Sequence, residues 1–367
     1  MNAPSGSLTP ADMTPARIVE TFSPAWFAAV MGTAVVPLAI SFTGAAWVRP
    51  VAAVFTVLAA AVFVTALVPW TLRWFRYNDA ARRDLEHPVA ASFVPTMPIA
   101  MHVLALDFIK YPDLLLTPAV AHTLALWLWI LGTVGIYVLG WVVLLRVYRH
   151  QQIEVKHANF GWFIPPVSKL LIPVAGLELA GLFPGGADLL AGISLASLGV
   201  GFFLFVFVGA AVYHRYKFAP LPPGRLAATF FIGLAPTAII AVDLAKLLAL
   251  VKHHGLLGLD PVVLGPLVKL LVVANWGFAA WWFIMGLILV GHYVRAREMP
   301  FAMSWWAFTF PSGALCVASG LAWTMSGWAW LGVFYQVVVV WLLAIWLVVF
   351  VRTVQGVATR RIFIPAH

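Results

Sequence analysis

The stretch "AWLGVFYQVVVVWLLAIWLVVFV", residues 329–351, runs for 23 positions without a charged side chain. As an α-helix rising 1.5 Å per residue it covers about 35 Å, enough to cross the roughly 30 Å hydrocarbon core of a bilayer. Comparable apolar stretches lie at roughly 24–42, 48–70, 89–110, 117–145, 161–183, 187–213, 227–250, 262–294 and 304–325. None shows the ten-residue polar/apolar alternation of a membrane β-barrel. Only 10% of the 367 residues are charged and the mean hydropathy is +0.97, whereas soluble domains carry about a quarter charged residues. The expectation is an all-α integral membrane domain of ten transmembrane helices over 24–351, with tails at 1–23 and 352–367. The polar start lacks the basic and short apolar regions of a signal peptide.

The net charge of +9 is distributed in a way that orients the chain. Arg73, Arg76, Arg82 and Arg83 follow the second span, and Arg146, Arg149 and Lys156 the fourth. Arg215, Lys217 and Arg225 follow the sixth, Arg295 and Arg297 the eighth, and Arg352, Arg360 and Arg361 the tenth. The intervening "FPGGAD" and "MSGW" loops contain no Lys or Arg. The positive-inside rule then places the basic loops and both termini in the cytoplasm. The bacterial plasma membrane is the simplest location, with a eukaryotic organelle as the alternative. No nucleic-acid partner is implied. The single Cys316 offers neither a disulfide framework nor a thiolate metal site. No phosphate loop, HExxH or CxxC motif is present, so no enzyme activity, metal or other cofactor is expected.

Proline divides the spans into two sets. Odd spans carry it well inside, at Pro37, Pro95 and Pro98, Pro173, Pro236 and Pro311, whereas even spans keep it near their ends, at Pro50, Pro69, Pro118 and Pro266. A proline inside a helix costs about 3 kcal/mol. The backbone groups it frees must face protein or a cavity rather than lipid. Five repeats are expected, each a kinked inner helix paired with a smoother outer one. The sequence "SWWAFTFPSG", residues 304–313, is the sharpest case, with two phenylalanines immediately before the proline.

Five motifs on the odd spans carry a family resemblance: "SPAWFAAVMGT", "HPVAASFVPTMP", "GWFIPPV", "GLAPTAI" and "SWWAFTFPSG". In this order they resemble the tellurite-resistance/dicarboxylate-transporter family. Its members include bacterial tellurite-resistance membrane proteins, fungal malate permeases and sulfite exporters, and the slow-type anion channels of plant guard cells. The resemblance implies five helical hairpins with quasi-fivefold symmetry around a central pore, and a homotrimer with one pore per protomer. It also implies a phenylalanine on the ninth helix that occludes the pore. By motif position this is Phe310, with Phe308 held in reserve. An aromatic ring at a narrow passage closes it by filling space and by dewetting.

Ionisable residues inside spans mark a pathway or a partner. The candidates for an anion or proton pathway are Lys169, Glu178, Asp243, Lys246, His87 and His102. Asp243 and Lys246 are spaced to pair on one helix. Lys169, with no acid a turn away, would attract an anion. Glu178 would neutralise Lys169 or Lys269, or carry a proton. His102 either titrates or bonds a neighbouring helix, and His87 serves a helix start or an anion mouth. Asp107 and Lys110 read as solvated near the outer surface. Ser92, Thr96, Ser168, Thr237 and Thr309 line an inner wall or re-satisfy kinked backbone. The function expected is transport of small anions through a gated pore: a C4-dicarboxylate such as malate, sulfite or related oxyanions, or chloride and nitrate. The alternative is a proton-coupled dicarboxylate or sulfite carrier that uses the inner carboxylates.

Overall fold

The computed structural model describes residues 9–87, 90–149 and 157–364. Within them the chain forms thirteen α-helices, and no strand occurs. These are α1 (Pro15–Glu20), α2 (Phe27–Ile40), α3 (Val48–Arg76), α4 (Asn78–Glu86), α5 (Ala90–Phe93), α6 (Thr96–Lys110) and α7 (Pro118–Arg149). They continue with α8 (Ile164–Leu182), α9 (Ala187–Phe218), α10 (Ala235–His254), α11 (Pro261–Ala296), α12 (Thr309–Ser326) and α13 (Ala329–Ala358). Pro88 and Lys156 lie outside the described residues.

Sequential helices pack as pairs: α2 with α3, α6 with α7, α8 with α9, α10 with α11, and α12 with α13. The first member of each pair also packs against the first member of the next. The contacts run from α2 to α6, α8, α10 and α12, and then return to α2. In the spans built on α2, α6, α8 and α10, 72–89% of the central stretch is buried. In those built on α3, α7, α9, α11 and α13 only 17–33% is. The first set forms an inner layer, and the second presents apolar side chains outward, as a lipid-facing layer must.

Among the described residues nine helices are long and apolar enough to cross a membrane, against the ten expected. The segment that falls short is α12, although it is buried among its neighbours. Its hydropathy is diluted by Thr309, Ser312, Gly313, Ser319, Gly320 and Thr324. These small residues let helices approach closely. A Cβ on Gly313 would lie 2.4 Å from Val35, and one on Gly320 would lie 2.4 Å from Phe42, both across the contact with α2 and its C-terminal extension. Gly327, at φ 74°, ends α12 in the left-handed conformation that suits glycine, and α13 begins two residues later.

Most of the prolines stand at helix starts. Short 3-10 segments at Pro24–Trp26, Phe160–Phe163, Gly224–Leu234 and Met303–Phe308 lead directly into α2, α8, α10 and α12. Pro95 caps α6 and Pro98 occupies its first turn; Pro236 and Pro311 occupy the first turns of α10 and α12. First-turn amides have no intrahelical acceptor, so a missing N–H costs little there. Of the expected kink prolines, Pro37 and Pro173 alone lie inside an α-helix, and Pro69 and Pro266 do so on outer helices. The alternation of broken and unbroken helices is therefore less clean than the sequence suggests. The hydroxyls serve these junctions. Thr96, Ser168, Thr237 and Thr309 each donate to the carbonyl three residues earlier, at 2.6, 2.6, 3.5 and 2.8 Å.

Indole N–H groups pin the layers together. Trp129 donates to the Ile172 carbonyl at 2.9 Å, Trp276 to Ser319 Oγ at 2.9 Å, Trp341 to Ser312 Oγ at 3.1 Å and Trp346 to Thr33 Oγ1 at 3.2 Å. Each bond runs from an outer helix to an inner one, and each satisfies a donor that hydrocarbon would leave unpaired.

Candidate anion pathway

Each inner helix turns one stretch of its face toward a common cavity of about 330 Å³. Its innermost rung is Val35, Val103, Leu171, Ile239 and Phe310, one residue from each of α2, α6, α8, α10 and α12. The first four lie 68 residues apart, and Phe310 follows 71 after Ile239. The next rung, Leu38, Leu106, Val174 and Val242 with Ala314, keeps the same spacing on the first four helices. One turn further stand Phe42, Lys110, Glu178 and Lys246, again 68 apart, with Val317 on α12. The starts of the odd spans, at roughly 24, 89, 161, 227 and 304, lie only about 65 to 77 residues apart. Span edges blur the period, and the register of lining side chains sharpens it.

No residue before the Val35–Phe310 rung on any inner helix lines the cavity. Phe310 is its one aromatic member and is 6% exposed. The opposite end is polar. A second cavity of about 360 Å³, bordered by His253 and His254, shares Lys110, Glu178, Lys246 and Ala249 with the first and forms a vestibule beyond it. Glu178 on α8 and Lys246 on α10 form an ion pair where the two spaces meet, both side chains partly exposed. Lys110 has no ion pair among the described residues.

The other candidates lie elsewhere. Phe308 packs edge-on to Phe231, ring centroids 4.9 Å apart, and Phe231 stacks on Trp341 of α13 at 5.8 Å. Phe308 therefore sits in an aromatic cluster with Phe231 and Trp305 and does not line the cavity. Lys169, 3% exposed, directs its ammonium toward Gly140 of α7, where a Cβ would come within 2.6 Å of Nζ. His102 is fully buried, 3.4 Å from Thr133 Oγ1 through Nε2 and edge-on to Trp129, both on α7. His87 accepts from the Ala90 amide at 3.2 Å through Nδ1 and so begins α5. Asp107 is buried rather than solvated, and its Oδ2 accepts from Thr56 Oγ1 at 3.3 Å. Asp243 is fully buried with no hydrogen-bond partner on either oxygen among the described residues. Lys269 is exposed on α11. Only Phe310, Glu178 and Lys246 of the expected site residues border the cavity.

Lys246 pairs with Glu178 rather than with Asp243. Three residues along a helix turn it by about 60° short of a full revolution. Asp243 therefore stays within the packed wall, while the lysine stem carries its ammonium toward the wetter mouth. One clamp was missed. Arg73, counted only as a cytoplasmic charge, is 4% exposed. It reaches Asp84 at 2.5 Å and the carbonyls of Glu20, Phe22 and Ala80 at 2.9, 2.7 and 3.1 Å.

An all-helical membrane bundle with a polar-mouthed cavity at its centre is the architecture of a transport protein. The family described as voltage-dependent anion channel matches residues 21–354. The chain belongs to this family, the tellurite-resistance/dicarboxylate-transporter group that the inner-helix motifs resemble. An uncharacterized transporter of Methanocaldococcus jannaschii is 31% identical over 94% of this chain and 96% of its own length. A second transporter from the same organism is 29% identical over 94% and 97%. A sulfite efflux pump of Arthroderma otae is 23% identical over 94% and 93%. The protein is a multi-pass membrane protein of an anion transporter and channel family.

Proposed function

We propose that the protein conducts small anions through the central cavity and that Phe310 gates it. Met303–Ser326 would be the tenth crossing, giving five hairpins with quasi-fivefold symmetry and cytoplasmic termini in a plasma membrane. The observation that carries the proposal is the position of Phe310. It stands in the apolar rung that ends the cavity, opposite a mouth with two ammonium groups and one carboxylate. A desolvated anion needs donors and positive potential; Lys110, which has no ion pair among the described residues, supplies both, while Lys246 is held by Glu178. Sulfite is the first substrate to test, because relatives are sulfite efflux pumps; malate, nitrate and chloride follow. A homotrimer is the assembly the family resemblance suggests.

A proton-coupled carrier is the second possibility, favoured by the unpartnered carboxylate of Asp243 within an inner helix. Flux in proteoliposomes with an internal pH dye separates the two. Phe310→Ala should raise anion flux about tenfold or more, without matched proton movement, as expected of an opened constriction. Unchanged flux in a folded Phe310→Ala protein would remove Phe310 as the gate. Stoichiometric proton movement would establish the carrier.

A further inference from the structure

The mouth of the cavity carries a small and countable set of charges. At the rung where cavity and vestibule join stand Phe42, Lys110, Glu178, Lys246 and Val317. Three of the five are charged, and three successive repeats supply them at the same register. Glu178 neutralises Lys246 by direct pairing, which leaves Lys110 as the uncompensated cation. The rest of the cavity lining is apolar apart from Ser41. An ion leaving the vestibule meets one net positive charge beside a low-dielectric wall, where charge–charge energies are larger than in bulk water.

Building on the transport function proposed above, we infer that this rung is a valence filter: Lys110 receives the anion, and Glu178 restricts the mouth to singly charged anions by occupying Lys246. A monoanion such as hydrogensulfite, nitrate or chloride is balanced by the single net charge. A dianion such as malate brings a second charge that meets the Glu178 carboxylate instead of a free ammonium. Glu178 is thus a specificity-determining residue, and the inner carboxylate acts by repulsion as well as by holding its partner.

The test compares nitrate and malate flux into proteoliposomes of the full chain, at one pH so that His253 and His254 keep a constant charge. Glu178→Gln raises the net charge at the rung to two and should raise the malate-to-nitrate flux ratio about tenfold, because the dianion carries one more charge than the monoanion to interact with the added positive charge. Lys110→Gln should lower both fluxes and move the ratio the other way. The double variant Glu178→Gln/Lys246→Gln restores one net charge and should return the ratio to the wild-type value, which a merely structural ion pair would not do. An unchanged ratio in a monodisperse, conducting Glu178→Gln protein overturns the filter and leaves the transport function intact. A double variant that keeps the single variant's ratio also overturns it. If neither wild type nor Phe310→Ala passes any anion, the transport function falls and the filter with it.

Discussion

Glu178 and Lys246, 68 residues apart on adjacent inner helices, close an ion pair at the one level where the apolar cavity opens into its vestibule. Desolvating two charges is costly, and a pair of this kind adds little stability over apolar residues of the same size. Its place at a wet mouth, with both side chains partly exposed, lowers that cost and fits a role in the pathway rather than in the scaffold.

Phe308 and Phe310 are two residues apart and face different surroundings, so their alanine variants should diverge. Phe308→Ala removes a ring packed against Phe231 and Trp305 and should destabilise the protein by about 3 kcal/mol without raising flux. Thermal unfolding in detergent, run beside the flux assay, checks this. A conducting Phe308→Ala protein of unchanged stability would reverse the two assignments.

Gly313 gives α12 its close approach to α2. A methyl group there would press on Val35 Cγ1 at 2.4 Å and Cγ2 at 2.5 Å, and Val35 belongs to the innermost rung. Gly313→Ala should cost about 1–3 kcal/mol by overpacking and change flux as well. Adding Val35→Ala should recover the stability, a coupling that a double-mutant cycle measures directly.

Arg73 ties the start of the chain to α3 and α4 through one carboxylate and three carbonyls. Arg73→Ala leaves the Asp84 carboxylate without this partner, removes three bonds to carbonyls, and should lower stability by about 3–5 kcal/mol. Arg73→Lys should recover only part of it, since a single ammonium cannot reproduce the planar fork. Unfolding midpoints of the two variants test the order.

Asp243→Asn keeps the shape of the buried side chain and removes its capacity to exchange a proton. Anion flux should be unchanged if the protein is a channel, whereas a proton-coupled carrier should lose proton movement along with transport. Paired anion and pH-dye traces decide between them.

In the loop after α6, Asp113 accepts from the Arg49 guanidinium at the start of α3 at 2.8 Å, and this bond is the main reason the Asp113 carboxyl sits below its usual range. A carboxylate whose folded-state pKa is depressed stabilises the fold above its unfolded pKa. That contribution disappears as pH falls through the folded-state value. Both side chains are more than half exposed, so the effect should be small and screened by salt. Arg49→Gln should reduce the difference between unfolding midpoints at neutral and strongly acidic pH.

Much of the architecture was legible in the sequence. Apolar length marked the spans, and the prolines picked out the inner set even though Pro236 and Pro311 prove to start helices rather than bend them. A 3-10 segment and an α-helix share the same apolar signature, so the junction between them is invisible until the backbone is seen. The buried clamp of Arg73 and the outward turn of Lys169 were equally hidden. Composition places a cation within a span but not on a face, and Gly140, which makes room for the Lys169 ammonium, lies 29 positions away. Asp243 and Lys246 misled for the same reason, because sequence spacing fixes proximity along a helix and not which neighbour is nearer across the seam.

The fixed charges of the cavity all stand at one end, and the end at Phe310 is apolar. If the protein conducts through this cavity with its gate at Phe310, as proposed, the passage would behave electrically as a diode. Anions driven inward from the vestibule are concentrated at the mouth before they meet the barrier, whereas those driven outward must climb the barrier first. Current through the opened protein would therefore depend on the sign of the applied voltage as well as its size, and neutralising Lys110 would straighten the current–voltage curve.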